Sequence, residues 1–91
     1  MNVKAIVSVI GKDNVGIIAK VSAYLSEIGG NIEDISQTLM QGYFVMIALV
    51  DFNKAEVHFA EIEKHFEEMG KKLGLSIRLQ REEIFNAMHR I

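Results

Sequence analysis

The chain predicts an α+β sandwich of βαββαβ order: a four-stranded, mainly antiparallel sheet with two helices on one face, followed by a short C-terminal helix. Two of its stretches carry apolar residues at alternate positions, a third is an unbroken run of β-favouring residues, and two more repeat every three to four residues. Glycines fall at the joints between these stretches, at Gly11, Gly16, Gly29, Gly30, Gly42 and Gly74. With 91 residues, 49% hydrophobic and 24% charged, there is room for one core and one domain, residues 1–91, with a tail at 82–91.

Val3 to Ile10 is the first strand, with Val3, Ala5, Val7 and Val9 on one side and Lys4, Ile6, Ser8 and Ile10 on the other. Both sides are largely apolar, which suits a central strand. From Val15 the period changes: Ile17, Ile18, Val21, Tyr24, Leu25 and Ile28 share an arc opposite Lys20, Ala23, Ser26 and Glu27, the pattern of an amphipathic helix. Gly29 and Gly30 supply its left-handed terminator, and Asn31 follows as a turn residue. Ile32 to Met40 is more polar, with Glu33, Asp34, Ser36, Gln37 and Thr38 around Ile35 and Leu39. This reads as an edge strand whose charges discourage pairing with another edge. Gln41-Gly42 turns the chain into Tyr43 to Val50, which pairs with its predecessor as a hairpin, and Asp51 and Asn53 lead out. The second helix is the clearest element, because Ala55, Phe59, Ile62, Phe66, Met69 and Leu73 form one narrow stripe. Gly74 ends it. Leu75, Ile77 and Leu79 then alternate with Ser76, Arg78 and Gln80 in a half-buried strand, and Ile84, Phe85, Met88 and Ile91 have helical spacing in the tail.

Right-handed crossovers place both helices on the same side of the sheet and leave the other side bare. Ile6, Ile10 and alternate positions of Tyr43 to Val50 are apolar towards that bare side. The tail is too short to cover it alone. A homodimer joined through sheets or edges is therefore expected, with Ile84, Phe85, Met88 and Ile91 helping to seal it.

Composition excludes several functions. Without cysteine there is no disulfide framework, thiolate nucleophile or cysteine zinc site. A net charge of −2 and a pI near 5.9 give no basic field for phosphate backbones or anionic lipids, so neither nucleic acid nor membrane is an expected partner. No apolar run approaches the ~20 residues needed to cross a bilayer, and the start has no signal-peptide pattern, which points to a cytoplasmic chain. No serine sits in a Gly-x-Ser-x-Gly elbow. His58, Glu61 and His65 share a helical face among Glu63, Lys64 and Glu68, where a solvated surface is the default and a metal would need ligands from elsewhere. Gly11 and Gly16 lack the lysine and hydroxyl residue of a phosphate loop, and Gly-x-Gly-x-x-Gly is absent. RNA-recognition modules share the βαββαβ order. Here, however, Gln41 replaces their basic residue, Phe44 fills a small-residue position, and the first strand has no stacking aromatic. No enzyme activity, catalytic residue, metal or cofactor is expected.

What remains is the turn Gly11-Lys12-Asp13-Asn14-Val15-Gly16-Ile17-Ile18, which joins a strand to the start of a helix. Free N–H groups at the positive end of a helix dipole hold carboxylates or phosphates, and Asp13 and Asn14 offer acceptors for an ammonium, so a small zwitterion fits. The simpler reading makes Asp13 or Asn14 the N-cap and the glycines mere turn residues.

Three segments carry a resemblance to a known family: Lys12-Asp13-Asn14-Val15-Gly16-Ile17-Ile18; Gly30-Asn31-Ile32; and Asp34-Ile35-Ser36-Gln37-Thr38 leading to Tyr43-Phe44. Over its whole length the chain resembles the ACT-domain family, ferredoxin-like modules that generally sense amino acids or other small metabolites and regulate a linked or associated protein. It is most similar to short stand-alone members, and related domains occur in formyltetrahydrofolate deformylases and glycine-cleavage repressors. The resemblance implies a ligand at a domain interface, held by the loop after the first strand and the amide at the start of the second; Asp13, Gly16 and Asn31 match those positions. The family loop often reads Asp-Arg-Pro-Gly, whereas Asn14 and Val15 stand in its middle here. The expectation is a homodimeric regulatory domain of metabolism that binds an amino acid through Asp13, Asn14, Val15, Gly16, Ile17, Asn31 and Ile32. The alternative is a ligand-free interaction subunit whose apolar sheet face docks on an enzyme or regulator.

Overall fold

A strand that is apolar on both sides needs a neighbour on each edge, and β1 (Lys4–Lys12) has two. The structure, a computed structural model, describes residues 3–12 and 16–82. After β1 come α1 (Ile17–Glu27), β2 (Asn31–Met40), β3 (Tyr43–Asp51), α2 (Phe59–Leu73) and β4 (Ser76–Arg81). The strands form one sheet in the order β2-β3-β1-β4, and each neighbouring pair is antiparallel. The expected α+β architecture is therefore the observed one.

Alternation decides which residues enter the core. Ala5, Val7 and Val9 of β1, and Phe44, Met46, Ala48 and Val50 of β3, point to the side where Val21 and Leu25 of α1 and Ile62 and Phe66 of α2 are buried, in one continuous cluster. Both helices thus cover the same face. Phe52, just beyond β3, is also fully buried there.

The hairpin between β2 and β3 turns through Gln41 and Gly42, both at positive φ (52° and 83°), the backbone of a two-residue turn whose twist matches the strands. The register of β2 shifts between Ile32 and Asp34, a bulge around Glu33, whose carboxylate pairs with Lys4 at 3.0 Å. The charges expected to protect this edge are confined to its start: Ile35 to Met40 carries none, and Ile35, Leu39 and Met40 are exposed.

The second helix is shorter than its stripe implied. Ala55 is buried, but it belongs to a turn in which its N–H donates to the Phe52 carbonyl at 3.0 Å; the helix starts at Phe59, capped by His58. Gly74, at φ 72°, ends α2 as expected. The expected tail helix with Ile84, Phe85, Met88 and Ile91 lies outside the described residues.

Candidate ligand-binding site

The first expected contact surface is the start of α1. Its N-cap is Gly16, at φ 88°, so neither Asp13 nor Asn14 is the N-cap residue, and among the described residues no side chain caps the helix. The Gly16 carbonyl accepts the first intrahelical bond from the Lys20 N–H at 3.0 Å. No acidic residue lies in the first turn, so nothing in the helix itself offsets the positive pole, and Lys20 adds to it. Asp13, Asn14 and Val15 lie outside the described residues. Ile17 is buried, which leaves its backbone N–H as the only group it can offer a ligand.

The second expected surface is the start of β2. Gly29 (φ 85°) and Gly30 make the turn out of α1, the Gly30 N–H donating to the Leu25 carbonyl at 2.7 Å. Asn31 is therefore not a turn residue but the first of the strand, in register with Asp51. Its side chain is exposed, and its amide makes no hydrogen bond among the described residues. Ile32 packs against the core and offers only backbone.

These two surfaces do not meet within one chain. Asn31 stands across from Asp51, which pairs with Lys4; at the far end of the sheet, Lys12 pairs with Tyr43 and Tyr43 with Met40. Along β1 that separation is about 26 Å at roughly 3.3 Å per residue. Gly16 follows the Lys12 end, and Asn31 sits at the Lys4 end.

On the sheet face away from the helices, Ile10, Tyr43 and Ile47 are 49%, 51% and 41% exposed, forming a patch with Met40. The expected bare apolar side is present. On the opposite surface, His65 is exposed yet not merely solvated: its ring stacks on Tyr24 at 3.6 Å between centroids, with planes 7° apart. Burial, followed by the nearby Glu27 and Glu61 carboxylates, raises the Tyr24 pKa above its ordinary value. The sequence carried no sign of this pairing, because it joins residues from different helices. No group of three or more His, Asp or Glu side chains among the described residues is placed to hold a metal ion, and no helix there is long and apolar enough to cross a membrane.

A UPF0237 protein of Clostridium acetobutylicum is 56% identical over 88 residues, spanning 97% of this chain and 99% of that protein. The solved ACT domain protein from Streptococcus pneumoniae is 41% identical, superposes with a TM-score of 0.81, and matches 93% of this chain and 96% of its own. A formyltetrahydrofolate deformylase from Pseudomonas syringae shares the fold alone, with a TM-score of 0.80 at 20% identity over 89% of this chain and 28% of the deformylase. The ACT-domain family model matches residues 4–80, the whole βαββαβ unit up to the last strand, and the chain belongs to that family.

Proposed function

We propose that the protein is a regulatory homodimer that senses a small metabolite with an amino-acid head group, each site being shared between two copies. The observation that carries this reading is the separation of Gly16 and Asn31 at opposite ends of the sheet, beside an unpaired edge, β2. Antiparallel pairing of two β2 edges about a two-fold axis sets the start of one β2 beside the end of the other. Asn31 of one copy then approaches the α1 start of its partner. The same pairing covers Ile35, Leu39 and Met40, the exposed apolar residues of that edge.

In this arrangement the ligand carboxylate meets the N–H groups at Gly16 and Ile17, where the helix pole is positive and, among the described residues, nothing crowds the glycine. The Asn31 amide of the other copy and Asp13 take the ammonium and the remaining polar atoms. No nucleophile or acid–base pair enters this reading, which is of a binding module rather than an enzyme.

The test is thermal unfolding with each of the twenty amino acids at about 5 mM, a concentration at which a ligand held at 100 times its Kd adds about 2.7 kcal/mol. A rise of several degrees confined to one or two related amino acids, and lost in Asn31→Ala, supports the reading. No rise with any of them overturns it. The apolar patch of Ile10, Tyr43 and Ile47 then becomes the leading feature, as the docking surface of an interaction subunit for an enzyme or regulator.

A further inference from the structure

The outer surface of the helix layer holds a second feature that the shared amino-acid site does not use. β1 and β2 each pair antiparallel with β3 and so run the same way, which makes α1 run back against β1; α2 runs back against β3 by the same logic. The two helices are therefore antiparallel, and the open groove between them has a volume of about 490 Å³. That volume is in the range of small-molecule sites.

Its lining is ordered along its length. The half-buried Met69 and Leu73 give it an apolar side, and the stacked Tyr24 and His65 form an aromatic bar that bridges the helices. Because Tyr24 faces His65 and the helices are antiparallel, Lys20 lies level with Met69, one turn from Lys72, at one end. Glu27 lies level with Glu61 beyond the bar, at the other end; both carboxylates act on the Tyr24 phenol, consistent with that placement. Glu68 flanks the cationic end and leaves it a net positive charge. Neither Lys20 nor Lys72 makes an ion pair among the described residues.

We infer that this groove binds short peptides with free termini, about three residues long, with an aromatic or large apolar residue in the middle. Charge complementarity and length select this class. Lys20 and Glu27 are seven residues apart on α1, about 10 Å at 1.5 Å per residue. A single amino acid carries its carboxylate and ammonium on one carbon and reaches only one end, whereas three extended residues at about 3.4 Å each span the distance. The carboxylate terminus meets Lys20 and Lys72, the central side chain lies on the Tyr24–His65 bar, and the amino terminus meets Glu27, with the Glu61 charge nearby adding to the negative end. The protein would then read two lengths of the same chemistry at two places: free amino acids between copies and short peptides between helices.

Calorimetric titration of the full chain with the tripeptide Ala-Phe-Ala, with its N-acetylated form, with its C-amidated form and with the doubly blocked form tests this directly. Blocking both termini weakens binding by about tenfold or more, the loss of at least one charge-assisted contact. The double variant Lys20→Met/Lys72→Met, checked to unfold at the wild-type temperature, loses about tenfold for the free peptide and nothing for the C-amidated one. Glu27→Gln shows the mirror pattern, indifferent to N-acetylation. Asn31→Ala leaves all four titrations unchanged, which separates this groove from the shared amino-acid site. Equal affinity for free and doubly blocked peptide, or no binding of any form at about 5 mM, overturns the inference.

Discussion

Gly16 and Gly29 hold nearly the same backbone conformation, φ 88° and 85°, but only one of them is hemmed in. A Cβ on Gly16 would meet nothing within 4 Å among the described residues, whereas one on Gly29 would stand 2.7 Å from the Lys54 carbonyl oxygen. Gly16→Ala should therefore cost only the left-handed strain of an L-residue, about 1–2 kcal/mol. Gly29→Ala adds a clash with backbone that cannot swing aside, for a total of about 3 kcal/mol or more. Urea unfolding of both variants checks the order, and equal losses would mean that the Lys54 loop moves away freely. Tyr24 offers a second test at this scale. Its pKa is raised above 10.0 in the fold, so the linked stability is fully present below pH 10 and is lost as pH rises through the higher folded value. The chain has two tyrosines, and Tyr43→Phe leaves Tyr24 as the sole source of tyrosinate absorbance. Glu27→Gln in that background should lower the midpoint only part of the way, because burial is the largest cause.

At the level of elements, periodicity was a good guide where one face is buried and the other solvated. The stripe Ile62, Phe66, Met69 marks α2 because Ile62 and Phe66 are almost wholly enclosed while their neighbours are charged. Phe66→Ala should cost about 3–5 kcal/mol in chemical denaturation. Ala55 shows the limit of the same signal. A buried turn residue one helical repeat ahead of Phe59 lands on the stripe by chance, and only its bond to Phe52 reveals that the helix has not begun. The edge strand was legible as an edge, but not as an open one. The charges that were expected to discourage pairing, Glu33 and Asp34, stand only at its start, whereas Ser36, Gln37 and Thr38 are uncharged and do nothing to repel a second strand. Leu39, 62% exposed on that edge, is the place to add the missing charge. On the proposed β2-edge dimer, Leu39→Lys should shift sedimentation from dimer to monomer without lowering the circular dichroism signal; an unchanged dimer would move the interface to the open sheet face, and a monomeric wild type would overturn the dimer.

For the whole molecule, the sequence offers Gly16 and Asn31 as candidate contacts, but not where the fold puts them relative to one another. That depends on β1 and β2 running in the same direction, which puts the loop after one and the start of the other at opposite ends of the sheet. Candidate positions close in the sequence are thus far apart in space, and on the proposed dimer a site shared between two copies reunites them. The consequence is a complementation that no single-chain site would show. Asn31→Ala removes the β2 contact from both sites of its homodimer, and Gly16→Asp places a carboxylate where the ligand's own must sit, so neither homodimer should bind. When the two variants are unfolded together and refolded as a mixture, the heterodimer has one site made from the intact loop of the first chain and the intact Asn31 of the second. Its other site carries both defects. Random pairing makes about half of the dimers mixed, so ligand binding should return to about one quarter of the wild-type sites, at wild-type affinity. A mixture that stays silent, while wild type treated in the same way regains full binding, would place Gly16 and Asn31 in separate roles.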